Sequence, residues 1–132
     1  MALAMMGYMK ATGHSVWTNP NLIAAMWLGN AAADGRLSLA TAVGFATHMV
    51  TSAIMGVVAV PFIASLPPLR TLLAAVSYAI ASYPVVFAAV ISWANPLMVA
   101  RTELVPMTAA HAPFGLVLGT TYILLPHRRG SH

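Results

Sequence analysis

The sequence predicts an all-α, polytopic membrane protein: a four-helix transmembrane bundle built from two similar helix pairs. Three observations predict it. Of 132 residues only six are Lys or Arg and two Asp or Glu, 60% are apolar, and mean hydropathy is +0.83. A soluble domain averages about 25% charged residues, so a chain with 6% cannot clothe a water-facing surface. Next, the stretches 37–69, 71–100 and 104–127 hold no Lys, Arg, Asp or Glu. Each exceeds the ~20 residues that a spanning helix requires. Last, one order of motifs occurs twice.

That repeat runs Trp17-Thr18-Asn19-Pro20 and then His48-x3-Ser52-x3-Gly56 in the first half. It returns as Trp93-Ala94-Asn95-Pro96 and His111-x3-Gly115-x3-Gly119. The chain therefore reads as a single transmembrane domain, 1–132, of two repeat units, 1–66 and 67–132, the first with an insertion near 21–37. Two helices per unit give both units the same orientation, about an axis along the membrane normal.

Taken in order, residues 2–16 form a first, shortened spanning helix by analogy with 71–94. Trp17 and Trp93 mark one leaflet, because Trp prefers the membrane interface. Asn is a good N-cap and Pro a good first helical residue, so each Asn-Pro starts a short interfacial helix, near 20–33 and 96–101. Spanning helices follow at 39–65, 71–94 and 105–126, with kinks expected at Pro61 and Pro84. Pro67-Pro68 marks the turn between the units.

The net charge of +4 comes from dispersed residues, Lys10, Arg36, Arg70, Arg101, Arg128 and Arg129. It lacks the clustering that nucleic-acid binding needs. Their distribution favours both termini in the cytoplasm, and the expected location is a bacterial inner membrane. Lys10 snorkels towards the interface. Without cysteine there is no disulfide or thiolate chemistry. The apolar start lacks a basic region before it, so a cleaved signal peptide is not expected, and 129–132 read like the start of an affinity tag.

The chemistry lies with the histidines. His48 falls mid-helix and His111 about two turns into its own. Ionisable side chains at membrane depth face a bundle interior or a cavity. Positions i+4 and i+8 share a helix face, so each imidazole heads a groove of small residues: Ser52 and Gly56, and Gly115 and Gly119. Such a groove admits a neighbouring backbone, as in small-xxx-small packing. It also has room for a flat macrocycle whose metal takes the imidazole, a haem b held by two histidines or a chlorophyll-type pigment held by one. His48 and His111 are thus the candidate metal ligands. Met49, Met55 and Met107 near them suit copper(I), a less favoured occupant because Met also fills gaps in apolar packing. His14 reads as an interfacial residue. Asp34 and Glu103 are the only acids and both fall in loops, so no catalytic dyad or triad is expected.

Asn19-Pro20, Gly29 and the run His48, Ser52, Gly56 resemble small bacterial inner-membrane proteins of the YagU-like kind over the first half of the chain. The resemblance implies a compact four-helix membrane protein and no catalytic residue. The expected function is a non-enzymatic membrane subunit, in a homo-oligomer or a larger membrane complex, binding a haem or chlorophyll-type cofactor through inward-facing histidines. The alternatives are a transporter or channel for a proton, metal ion or small solute, with the histidines and Lys10 lining its path, and a purely structural or assembly subunit.

Overall fold

The computed structural model describes residues 2–125. They form an all-helical array: α1 (Ala2–Ala11), α2 (Thr18–Leu28), α3 (Leu39–Ile63), α4 (Pro68–Ala94), α5 (Pro96–Arg101), α6 (Leu104–Ala109) and α7 (Ala112–Leu124). A 3-10 turn at Asn30–Ala32 follows α2. Arg128, Arg129 and the tag-like end lie outside the described residues.

Two helices, α3 and α4, are long and apolar enough to cross a membrane. They match the expected spans closely, because both are bounded by proline chemistry or capping. Ser38 precedes α3, and its backbone N–H donates to Thr41 Oγ1 at 3.1 Å. Pro68 opens α4 at a position where a missing N–H costs nothing. Pro84 has no N–H to return to the Ile80 carbonyl in the preceding turn, and beyond it the helix widens into a π segment at Phe87–Ile91 before closing at Ser92–Ala94.

The outer two expected spans are shorter than the sequence implied. The first ends at Ala11, ten residues and about 15 Å long, and does not continue to residue 16. Thr12 Oγ1 takes the Tyr8 carbonyl at 3.0 Å, and Gly13 turns the chain with φ +79°, so the helical ladder is closed off. The expected 105–126 helix is broken in two. Pro113 has no N–H to return to Ala109, and His111 N–H bonds instead to the Thr108 carbonyl in a tight turn. His111 therefore stands just before α7, not two turns inside a helix.

Chain direction alternates through α3, α4 and α7. Tyr122 OH, near the end of α7, reaches the Ala64 carbonyl beyond α3. The pairing differs between the halves: α7 packs along α4, whereas α3 packs along α2. Both contacts run over glycine. A Cβ at Gly44 of α3 would lie 1.8 Å from the Pro20 carbonyl oxygen, and one at Gly115 would lie 2.5 Å from Val76 Cα. A Cβ at Gly119 would meet Leu72 Cα at 3.1 Å. The outward faces of α3, α4 and α7 are apolar and exposed, among them Val50, Val57, Phe62, Leu73, Val85 and Val117.

The loop end of the array is held by polar side chains. Asn21, fully buried, donates to the Arg36 carbonyl at 2.8 Å and to Asp34 Oδ1 at 3.2 Å, and accepts from Thr41 Oγ1 at 2.8 Å. Asn95 caps α5 as expected, accepting from Met98 N–H at 3.0 Å, and donates to the Leu22 carbonyl at 2.7 Å. Its counterpart Asn19 is no cap: α2 begins one residue before it, at Thr18, and Asn19 Oδ1 is buried with no hydrogen-bond partner among the described residues.

Candidate functional site

The candidate site is a cavity of about 300 Å³ between the helices, lined from α1 by Met5 and Met6. Its wall is mostly apolar and includes Met26, Met55, Val86, Val90 and Phe114. The π segment after Pro84 contributes Val90 and Ile91, so the proline that bends α4 also shapes the wall.

Both repeated histidines line this one cavity, as does Ser52. His48 lies nine residues into α3, about 14 Å along the helix. Its imidazole has no hydrogen-bond partner among the described residues. His111 arrives from the break between α6 and α7. Its Nδ1 is 2.7 Å from the Met107 carbonyl oxygen. A carbonyl only accepts, so the proton sits on Nδ1, which donates, and Nε2 keeps its lone pair. A backbone bond of this kind fixes tautomer and ring orientation in metal-ligating histidines.

Tyr83 completes the group. Its ring lies against the His111 imidazole, centroids 4.3 Å apart and 30° between planes. It is 7% exposed and lines the cavity, yet its hydroxyl is buried with no hydrogen-bond partner among the described residues. A buried, unpaired hydroxyl costs about 1–3 kcal/mol. Sequence reasoning gave Tyr83 no weight. Its one legible signal was a Tyr one residue before the kinking Pro84.

The small residues expected beneath the histidines separate. Ser52 faces the cavity; Gly56, Gly115 and Gly119 do not line it. Gly115 and Gly119 are buried against the backbone of α4, so that groove is filled by a helix and offers no room to a macrocycle. Gly56 has only Leu118 Cδ1 near its Cβ direction, at 3.8 Å. The glycine that matters beside His48 is Gly44, four residues earlier, which the repeat did not single out. Of the neighbouring methionines, Met55 and Met107 line the cavity and Met49 is exposed.

Among the described residues, no group of three or more His, Asp or Glu is placed to hold a metal ion. Any metal here would bring ligands of its own or use thioethers. Lys10 is exposed and lines neither this cavity nor its neighbour. His14 is exposed, with Nδ1 3.1 Å from Thr12 Oγ1. No protein-family model, curated protein or solved structure matches the chain. The likeness to YagU-like proteins therefore stands on the quoted motif residues alone.

Proposed function

We propose that the chain is a small integral membrane protein, α3 and α4 crossing the bilayer, that holds a metal macrocycle of haem or chlorophyll type in the cavity bearing His48 and His111. The role is binding, within a homo-oligomer or a larger membrane complex, and not catalysis. One observation carries the reading: the two histidines that sequence repetition pairs also share a single cavity, and one of them keeps Nε2 unprotonated.

The chemistry agrees with that choice. A volume of about 300 Å³ lies at the lower end of the range for small-molecule sites, which are typically apolar with a few placed polar groups. Water would be poorly held by such walls. The free nitrogen of His111 is an acceptor and so cannot serve a ligand carbonyl itself. A metal centre suits a lone pair; so does a ligand hydroxyl, which lacks the coordinate bond. The macrocycle supplies the remaining metal ligands, which explains why two imidazoles suffice.

The test is the absorption spectrum of the purified protein in detergent, as isolated and after titration with ferric haem. The expected result is a saturable Soret shift that weakens at least severalfold in His111→Ala and in His48→Ala. A colourless protein that takes up neither ferric haem nor a magnesium chlorin sinks the reading.

A further inference from the structure

A second cavity, of about 370 Å³, lies among the end of α1, the start of α2 and the segment between α5 and α6. Its wall differs from that of the first: Tyr8, His14, Arg101 and Glu103 contribute to it, beside the apolar Met9 and Leu22. We propose that this cavity binds the phosphoethanolamine head of an aminophospholipid, with the phosphate on Arg101 and the ammonium on Glu103. The proposal rests on α3 and α4 crossing the bilayer and is independent of the macrocycle.

Arg101 and Glu103 stand two residues apart on extended backbone, Thr102 having φ −112° and ψ 127° and Glu103 φ −79° and ψ 117°. Side chains at i and i+2 of an extended segment share a face, so both charges turn to one cavity, while the Thr102 hydroxyl between them is buried. The two do not pair with each other. Arg101 Nη1 donates to the Ala33 carbonyl at 3.4 Å, and Glu103 Oε2 accepts from the Tyr8 hydroxyl at 2.9 Å; neither side chain has another partner among the described residues. The Tyr8 bond leaves the carboxylate its charge and leaves Oε1 open. A lone anion would be opposed by Glu103 and a lone cation by Arg101, so the wall suits a ligand that carries both signs. The guanidinium fork matches a phosphate, and an ammonium brings three donors to a carboxylate.

The surroundings are those of a lipid head. Arg101 and Glu103 follow shortly after α4 ends at Ala94. Trp93, beside that end, is 84% exposed, and Trp favours the membrane–water interface. Leu104 and Val105, next after Glu103, are apolar and exposed, so the acyl chains of a lipid whose head fills the cavity meet a hydrocarbon surface beside it. A soluble zwitterion gains nothing from that surface. A choline head keeps the cation but has no N–H to give Glu103, and a glycerol head brings the phosphate without a cation.

The experiment titrates the full chain, delipidated in detergent, with dioleoyl phosphatidylethanolamine, phosphatidylcholine and phosphatidylglycerol, and counts bound lipid by native mass spectrometry. Phosphatidylethanolamine is expected to bind about fivefold tighter than either of the others. Glu103→Gln should weaken phosphatidylethanolamine and tighten phosphatidylglycerol, bringing the two to parity or beyond; the gain also shows that the variant folds. Arg101→Gln should weaken all three severalfold. Equal affinity of the parent for the three lipids overturns the proposal, as does a preference for phosphatidylethanolamine that survives Glu103→Gln. Displacement of the lipid by equimolar soluble phosphoethanolamine overturns the assignment to a lipid. Haem uptake, read on the same samples by the Soret band, stands or falls apart from these outcomes.

Discussion

The imidazole of His111 is held by two neighbours: the Tyr83 ring lies tilted against it, centroids 4.3 Å apart, and the Met107 carbonyl accepts from its Nδ1 at 2.7 Å. One contact fixes where the ring lies and the other fixes which nitrogen is free. The ring is thereby preorganised in a protein whose other ring nitrogen of the pair, on His48, is left unrestrained by hydrogen bonds among the described residues.

Tyr83→Phe tests the unpaired hydroxyl. Deleting a buried polar group without a partner should stabilise the ligand-free protein by on the order of 1 kcal/mol. The same variant keeps its ring against His111 and should leave ferric haem affinity unchanged. Thermal unfolding in detergent measures the first and the Soret titration the second. A destabilised apo-protein would mean that the hydroxyl has a partner after all.

The glycines should divide sharply. Gly44→Ala and Gly115→Ala force a methyl into backbone atoms 1.8 Å and 2.5 Å away, and overpacking of this kind costs roughly 1–3 kcal/mol or more. Gly56→Ala meets only a flexible leucine end at 3.8 Å and gains helix propensity, up to about 1 kcal/mol. Denaturant unfolding in detergent should rank Gly56→Ala at or above the parent and the other two well below it.

The two repeated asparagines should behave unequally. Asn95→Ala removes a helix cap and the amide's second bond, to the Leu22 carbonyl, a loss of about 1–2 kcal/mol. Asn19→Ala removes an oxygen that has no partner and should be nearly neutral. Equal losses at both positions would contradict the asymmetry between α2 and α5.

Lys10→Ala separates binding from permeation. The side chain is exposed and outside both cavities, so haem affinity should be unchanged and stability within about 0.5 kcal/mol of the parent. Liposome conductance or proton flux that depends on Lys10 would instead place it on a conduction path.

Much of the helical layout was legible in the sequence. Charge-free runs and proline positions gave α3, α4 and the short α5, because desolvation of charge and the missing proline N–H are local properties. His48 and His111, which the repeated motif pairs, both line one cavity. Other features were not legible. The early end of α1 depends on a threonine hydroxyl capturing a carbonyl and a glycine adopting positive φ, choices that composition leaves open. The break before α7 set His111 at a turn, where its Nδ1 reached a backbone acceptor.

What the sequence determined by itself is the apolar, helical character of the chain, since too few charges exist to solvate any other arrangement. Tertiary structure alone decided how the small residues are used. His-x3-small-x3-Gly reads identically in both halves, yet Gly115 and Gly119 are consumed by contact with α4, while Ser52 remains at a cavity. The reason is that a glycine groove is defined by whichever backbone approaches it, and that depends on helices distant in the chain. The cavity itself is lined from α1, α2, α3, α4 and the segment around His111, a juxtaposition that no single motif encodes.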